Sequence, residues 1–328
     1  MEQNQIQGLF KTEQSEEISR KDLTLIFQGL FKGITLEEFA FTLTNKYSSA
    51  IEYAQLVNGE RVNTQMTILF NPHRLSTTTL TSKFSLFDAI SNHTDEYMSG
   101  LARVALHKGI LSKRGLLNII ELGFNGITYV QDFLAYVARD VYKKYGITKT
   151  SKILDPCAGW GGRMIGASVV CDAYHCFEPA TKTYRGLKRL SKFIKSMNAD
   201  FSAEIHNLPF EESELEDEYY DVALTSPPYY NTEHYSDEET NSLNRYKTFD
   251  DWCEGFYYPL IEKTMDALKP TGVFILNIGD RKYPLSEKMN ERFSDVYKIK
   301  RLKNYISNSK AGGKVADKGE QFYEISKL

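Results

Sequence analysis

From about residue 150 onward, short apolar runs alternate with amphipathic stretches, the rhythm of a parallel sheet covered by helices. The apolar runs predict strands at 151–156 (SKILDP), 173–178 (AYHCFE), 202–207 (SAEIHN), 220–225 (YDVALT) and 272–279 (GVFILNIG). The clearest helix is FDDWCEGFYYPLIEKTMDALKP, with Asp250 or Asp251 in its first turn and Pro270-Thr271-Gly272 as its stop. A short helix near 286–295 and two more strands, YKIKRLKNYI and EQFYEISKL, complete the series, with the small and basic residues SNSKAGGKVADKG between them reading as a surface loop. The first 120 or so residues behave differently. They carry mixed helical patterns and a Ser/Thr-rich patch, STTTLTSKFS, without the alternating rhythm. The division predicted is a mainly helical N-terminal domain at 1–120 and an α/β domain at 121–328.

A chain of 328 residues with 41% apolar and 13% aromatic content can bury a substantial core, enough for one large domain or two ordinary ones. No apolar run approaches the ~20 residues that cross a bilayer, and MEQNQIQGLFKTEQSEE lacks the order of a signal peptide, so no membrane and a cytoplasmic location are expected. The cysteines, Cys157, Cys171, Cys176 and Cys253, show neither C-x-x-C spacing nor clustering with the histidines, so neither a disulfide nor a structural zinc is expected. A net charge of -3 argues against indiscriminate coating of nucleic acid. Charge is uneven, however: Lys182, Arg185, Lys188 or Arg189, Lys192 and Lys195 recur at helical steps, and Glu211, Glu212, Glu214, Glu216, Asp217 and Glu218 crowd before a strand. Both read first as solvated surface.

The run ILDP leads through CAGWGGRMIGA into a helical pattern, so a strand passes by a tight turn into a helix. Glycines at 159, 161 and 162 let the backbone approach a bound group closely. The spacing matches neither the dinucleotide fingerprint nor a phosphate-binding loop. The next strand ends at Glu178, where a carboxylate can accept hydrogen bonds from ribose hydroxyls, so an adenosine-type cofactor fits.

The fourth strand ends in DVALTSPPYYN, and two prolines cannot continue a ladder because they donate no N–H. The chain must turn outward stiffly at the carboxyl ends of the strands, beside the glycine turn. That arrangement suits a base amino group, a poor nucleophile that must be held in line while acceptors take hydrogen bonds from its N–H groups. The Ser226 hydroxyl and Pro227 carbonyl are such acceptors, and the Tyr229 ring offers a stacking face for a displaced base.

Together DPCAGWGG and TSPPY resemble the cofactor and catalytic motifs of the amino-methyltransferases that make N4-methylcytosine or N6-methyladenine in DNA. The resemblance covers roughly residues 124 to 328. It implies a Rossmann-like class I methyltransferase fold, a mostly parallel seven-stranded sheet with an antiparallel last strand, and S-adenosylmethionine as cofactor. Carried onto this chain, it implies that Asp155, Cys157, Ala158, Gly159 and Gly161 contact the cofactor, Glu178 its ribose and Asn207 its adenine, with Phe124 of the short Phe124-Asn125-Gly126 element near the methionine end. Ser226, Pro227, Pro228 and Tyr229 would hold the target base. Cys157 and Trp160 stand where the family more often has an aromatic and a serine. Serine at the head of the catalytic motif, where many adenine-specific members have aspartate, favours cytosine N4 over adenine N6. The chemistry requires no metal, and no Pro-Cys pair occupies a catalytic position for methylation at cytosine C5.

No recognition domain fits in the roughly 70 residues between the two motifs. Recognition of double-stranded DNA therefore falls to the N-terminal residues, with Arg74 and the cluster Arg103, His107, Lys108, Lys113 and Arg114 as phosphate contacts, to the loop NTEHYSDEETNSLNRYK as a cover over the base, or to the Lys/Gly loop at 308–319. The rival readings are an RNA methyltransferase, a protein-glutamine methyltransferase and an inactive binding subunit of the same fold. A restriction-modification or phage setting would suit the main reading, and the chain is expected to be a monomer or homodimer.

Overall fold

The computed structural model describes residues 19–79, 84–92, 94–109, 120, 130–280, 282–302 and 320–328. The chain forms two compact units, Met1–Thr35 with Ser82–Thr128, and Leu36–Thr81 with Tyr129–Leu328. In the first, helix Arg20–Phe31 packs on helix Thr94–His107, held also by Arg20 donating to the Ser99 hydroxyl at 2.7 Å, and Leu86–Ser91 joins them. The Ser85 hydroxyl and the Asp88 side chain cap that last helix reciprocally. The described residues of this unit lie mainly in these helices.

The grouping differs from the predicted boundary at 120, since residues 36–81 belong with the sheet. Tyr53, Leu56, Met66 and Phe70 bury their side chains in the same cluster as Val141, Met164, Leu187 and Leu190. These helices bury apolar side chains against the sheet's own helices, and burying each such side chain contributes on the order of 1.5–3 kcal/mol.

The second unit is built on seven strands: β1 (Lys152–Asp155), β2 (Ala173–Phe177), β3 (Ser202–His206), β4 (Tyr220–Thr225), β5 (Leu268–Gly279), β6 (Tyr297–Leu302) and β7 (Glu320–Lys327). Their order across the sheet is β3-β2-β1-β4-β5-β7-β6, and β7 alone runs antiparallel to its neighbours. Side chains alternate between two cores. Ile153, Cys176, Val222, Leu224 and Ile275 face helices α1 (Ala135–Lys144), α2 (Gly162–Ala167) and α3 (Thr181–Met197). Leu154, Phe177, Ala223, Phe274 and Leu276 face α4 (Tyr258–Ala267) and α5 (Leu285–Phe293). With both faces covered, the strands carry the near-continuous apolar runs that betrayed them in the sequence. The arrangement is the Rossmann-like class I methyltransferase fold.

Two details depart from the sequence reading. The strand predicted at 272 begins at Leu268, because Tyr220 pairs with Leu268 before the register shifts to Val222 with Val273. Pro270 lies in that irregularity, where its missing N–H leaves no rung unmade. The long helix predicted from Phe249 is interrupted: Phe249–Trp252 passes through a π-type stretch, Cys253–Tyr257, before α4 begins with Pro259 in its first turn. Among the described residues no helix is long and apolar enough to cross a membrane.

Strand order reverses between β1 and β4, so the loops leaving their carboxyl ends diverge and open a crevice between them. The glycine-rich turn and the Ser-Pro-Pro-Tyr turn both leave from this point.

Candidate active site

Beyond β1, Gly159 takes φ +55° and Gly161 φ +101°, left-handed values that disfavour any side chain. At Gly161 a Cβ would also lie 2.6 Å from Leu190 Cδ2, and at Gly162 only 1.9 Å from the Phe133 carbonyl oxygen. The glycines let the turn press onto α3 and onto the chain ahead of α1. From the other side, the Asn71 amide donates to the Trp160 carbonyl at 3.2 Å, and the ring of His73 meets Trp160 edge-on at 5.2 Å.

A cavity of about 1230 Å³, its open mouth included, lies over this turn. Of the residues that the resemblance assigned to it, Cys157, Gly159, Glu178, Ser226, Pro227, Pro228 and Tyr229 line it. Asp155, Ala158, Gly161 and Asn207 are not among its lining, and Phe124 lies outside the described residues. Each of the four has another place. Asp155 is fully buried and committed to protein partners: Arg163 Nε at 2.8 Å, the Thr225 hydroxyl at 2.8 Å, the backbone N–H of Cys157 at 3.2 Å and the Tyr174 hydroxyl. It sets the shape of the turn, and its partner Arg163 lines the cavity in its stead. Ala158 is buried, its N–H donating to the Phe177 carbonyl at 2.9 Å. Gly161 packs on Leu187 and Leu190, as above. Asn207 is exposed and donates to the carbonyls of Glu178 and Pro179, each at 3.0 Å, which clips the turn after β2.

Glu178 ends β2 with its carboxylate accepting from the Ala180 N–H at 2.9 Å. Burial is the largest influence on it and pushes its pKa up to about 8. Glu211 also lines the cavity; burial raises it too, and its Oε2 is buried without a hydrogen-bond partner among the described residues. A buried acceptor in want of a donor implies a ligand that carries donors. Beside these acids, Pro209 and Phe210 supply an apolar wall. Ribose hydroxyls and an adenine amino group are donors of the required kind, so the residues fit an adenosyl cofactor.

Across the cavity, Ser226 and Tyr229 meet through their hydroxyls at 3.1 Å. Asn277, fully buried on β5, donates from Nδ2 to Ser226 Oγ at 3.2 Å, and the Tyr229 hydroxyl reaches the Asn277 carbonyl at a long 3.5 Å. Burial pushes the Tyr229 phenol well above its ordinary pKa, so it remains neutral. The following residue, Tyr230, has φ +52°, a conformation that strains a bulky side chain. Its ring is held by Phe249, Trp252 and Tyr283, and its hydroxyl donates to the Lys247 carbonyl at 2.6 Å. That clamp fixes the end of the turn from which Tyr229 faces the cavity.

The loop that follows contributes to the lining of the cavity. Glu233–His234 pairs antiparallel with Thr78–Thr79, and Glu238 accepts from the N–H and hydroxyl of Thr181 at the start of α3. Tyr235, Thr240 and Asn241 line the wall below. Arg74, expected at phosphates, is instead buried, donating to the Val130 carbonyl at 2.8 Å and the Thr67 hydroxyl at 2.9 Å. Lys113, Arg114 and the loop at 308–319 lie outside the described residues. Lys182, Arg185, Lys188, Lys192 and Lys195 are exposed along α3, as their spacing indicated.

Residues 220–327, β4 through β7 with the Ser-Pro-Pro-Tyr turn, match the model of a family described as DNA methylase. No curated protein sequence matches the chain. Among solved structures, the fold is similar to a tRNA (m1A58) methyltransferase from Aquifex aeolicus, at 12% identity over 62% of this chain and 80% of that one, TM-score 0.39. It is similar also to a 16S rRNA N2 G1207 methyltransferase from T. thermophilus in complex with AdoMet and guanosine, at 14% identity over 61% and 44%, TM-score 0.39. A putative methyltransferase from Streptococcus mutans in complex with SAH gives 10% identity over 61% and 100%, TM-score 0.38. The acids and glycines of the cavity suit S-adenosylmethionine as methyl donor. The match over residues 220–327 supports a family of DNA N4 and N6 amino-methyltransferases.

Proposed function

We propose that this protein transfers a methyl group from S-adenosylmethionine to the exocyclic amino nitrogen of a base in DNA, cytosine N4 first and adenine N6 second, at a particular sequence. The observation that carries the reading is the Ser226, Tyr229 and Asn277 cluster at one wall of a cavity whose opposite end holds Glu178 and Glu211.

A hydroxyl has one hydrogen to donate and two lone pairs. Ser226 accepts from Asn277 and, when it donates to the Tyr229 oxygen, keeps one lone pair for an incoming amino group. That acceptor and the Pro227 carbonyl would accept hydrogen bonds from the two N–H groups and turn the nitrogen lone pair out of conjugation with the ring. Once the methyl carbon is bonded to nitrogen and the thioether has left, one of the two protons is released and the other stays. The Tyr229 ring, neutral at any working pH, would stack on the displaced base. Glu178 and Glu211 would take hydrogen bonds from the nucleoside part of the cofactor, which supplies an electrophilic methyl carbon. Burial raises the Cys157 thiol well above its ordinary pKa, so it is protonated and adds no nucleophile of its own. Sequence recognition is assigned to the unit of Met1–Thr35 and Ser82–Thr128, which the chemistry does not employ.

The experiment is methyl transfer from labelled cofactor to unmodified double-stranded DNA, followed by nucleoside digestion and mass spectrometry. N4-methylcytosine is the expected product, and N6-methyladenine would keep the class while reversing the base. Label entering RNA or protein but not DNA would overturn the substrate assignment.

A further inference from the structure

Outside the active site, the parallel register of β2 and β3 sets His175 opposite Glu204 and Phe177 opposite His206. Residues two apart on a strand share a face, so both histidines and Glu204 emerge on one side of the sheet, at its β3 edge. One potential ligand atom from each lies within 4.8 Å of the other two. We propose that His175, Glu204 and His206 bind a divalent transition-metal ion, Zn²⁺ by preference, and that the ion clips the edge strand β3 to β2.

Three features support a metal over a chance grouping. Two imidazoles and a carboxylate are a zinc donor set, with each donor about 2.0–2.2 Å from the ion. Drawing these donors in by on the order of 1 Å asks only for rotation of Glu204 and His206, both of which reach solvent. Next, His175 Nε2 is buried without a hydrogen-bond partner among the described residues, which is costly for a polar ring nitrogen. Its other nitrogen, Nδ1, is bonded to the Tyr220 hydroxyl. When Nδ1–H donates to that oxygen, Nε2 presents its lone pair, and an outer hydrogen bond of this kind is what orients imidazole ligands on metals. Finally, His206 Nε2 and Glu204 Oε1 already lie 3.0 Å apart, and the ring of Phe177 stacks on His206 at 4.9 Å. The imidazole is thus held near the carboxylate.

The role is structural rather than catalytic. None of the three lines the active-site cavity. The His206 carbonyl does accept the N–H of Glu178 at 2.9 Å, so fixing His206 steadies the strand ends that carry the cofactor-side acid. Soft and borderline ions would serve, whereas Mg²⁺, which prefers six oxygens, would not.

The test is Zn²⁺ binding to the untagged full chain, first stripped by chelator, in competition with a chromophoric chelator. One Zn²⁺ per chain at micromolar or tighter affinity is expected, with a rise in melting temperature that Mg²⁺ does not produce. Glu204→Gln, at an exposed position, and His206→Asn, at a half-buried one, are each expected to weaken binding at least tenfold and to remove the melting shift. Tyr220→Phe is expected to weaken it to a lesser degree, and Cys157→Ser to leave it unchanged. Absence of stoichiometric binding, or binding that survives both Glu204→Gln and His206→Asn, would overturn the proposal. None of these readings depends on methyl transfer.

Discussion

The Asp155 carboxylate and the Arg163 guanidinium lie 2.8 Å apart, one fully buried and the other nearly so. Their pairing bends the chain from β1 into α2 and leaves the guanidinium at the cavity wall. Removing one member of a buried pair strands the other charge, which costs about 3–5 kcal/mol. Asp155→Ala should therefore lower unfolding free energy by that order in urea titration and lose cofactor binding with it. The double variant with Arg163→Met should regain part of the stability. Full stability of Asp155→Ala together with lost cofactor affinity would show that the carboxylate touches the cofactor after all.

Glu178 should make the free protein less stable in alkali. Folded, it keeps its proton up to about pH 8, while the unfolded chain releases it near 4.5. The raised value thus contributes stability that is complete below pH 4.5, declines as pH rises and is gone once pH passes 8. Glu211, raised by burial as well, acts in the same direction. Unfolding free energy from urea titration should fall by on the order of a few kcal/mol between pH 5 and 9, and the melting temperature should fall with it. Glu178→Gln should flatten the profile, and an unchanged slope would remove the carboxylate from the account.

Tyr229→Ala deletes the stacking face while sparing the acids at the far end of the cavity. Stacking of a base on an aromatic ring contributes about 1–3 kcal/mol, so kcat/KM for DNA should fall roughly 5- to 150-fold with cofactor Kd unchanged. Tyr229→Phe keeps the ring and loses the hydroxyl bond to Ser226 and the long contacts to Asn277, so its loss should be smaller. Equal losses in the two variants would assign the work to the hydroxyl.

Asn277→Ala should lower kcat about tenfold through Ser226, which loses a hydrogen bond of about 1.4 kcal/mol in the transition state. Cofactor affinity and KM for DNA should hold. A change in KM alone would mark Asn277 as a structural residue.

Gly162→Ala should destabilise more than Gly161→Ala. The first drives a Cβ into the backbone oxygen of Phe133, which cannot retreat as a side chain does. The second meets the flexible ends of Leu187 and Leu190 and incurs about 1–2 kcal/mol for its left-handed backbone. Thermal denaturation of the two variants compares them directly, and the reverse ranking would mean that the chain at Phe133 gives way.

The strands were legible because a sheet covered on both faces writes itself as apolar runs, and the Ser226–Tyr229 turn because prolines at a strand end are a local signal. The place of residues 36–81 was hidden for the opposite reason. Asn71 and His73 act on Trp160 and Thr183, roughly 90 and 110 positions away, and no local pattern records such pairings. Asp155 stands in the motif as expected, yet of its partners those at 174 and 225 are separated from it by strand crossings, so its structural task could not be read from spacing. Asn277 left one trace, a polar residue inside the apolar run FILNIG. Arg74 misled because an isolated arginine reads as surface until its burial is known. The metal-ligand group follows from strand register, which joins positions 29 and 31 residues apart in sequence.

β7 follows β6 in the chain but lies between β5 and β6 in the sheet. Until β7 is synthesised, β6 has no strand to pair with, and β5 exposes a long edge from Phe274 to Gly279. On the ribosome the nascent sheet therefore waits half-open, and its interior closes only when a later segment threads between two earlier ones. Such non-local closure is slow and leaves an adhesive edge exposed meanwhile. Overproduction that outruns this last step should yield aggregates, and the yield of dispersed protein should improve on cooling or with chaperone help, even though the finished fold is well packed.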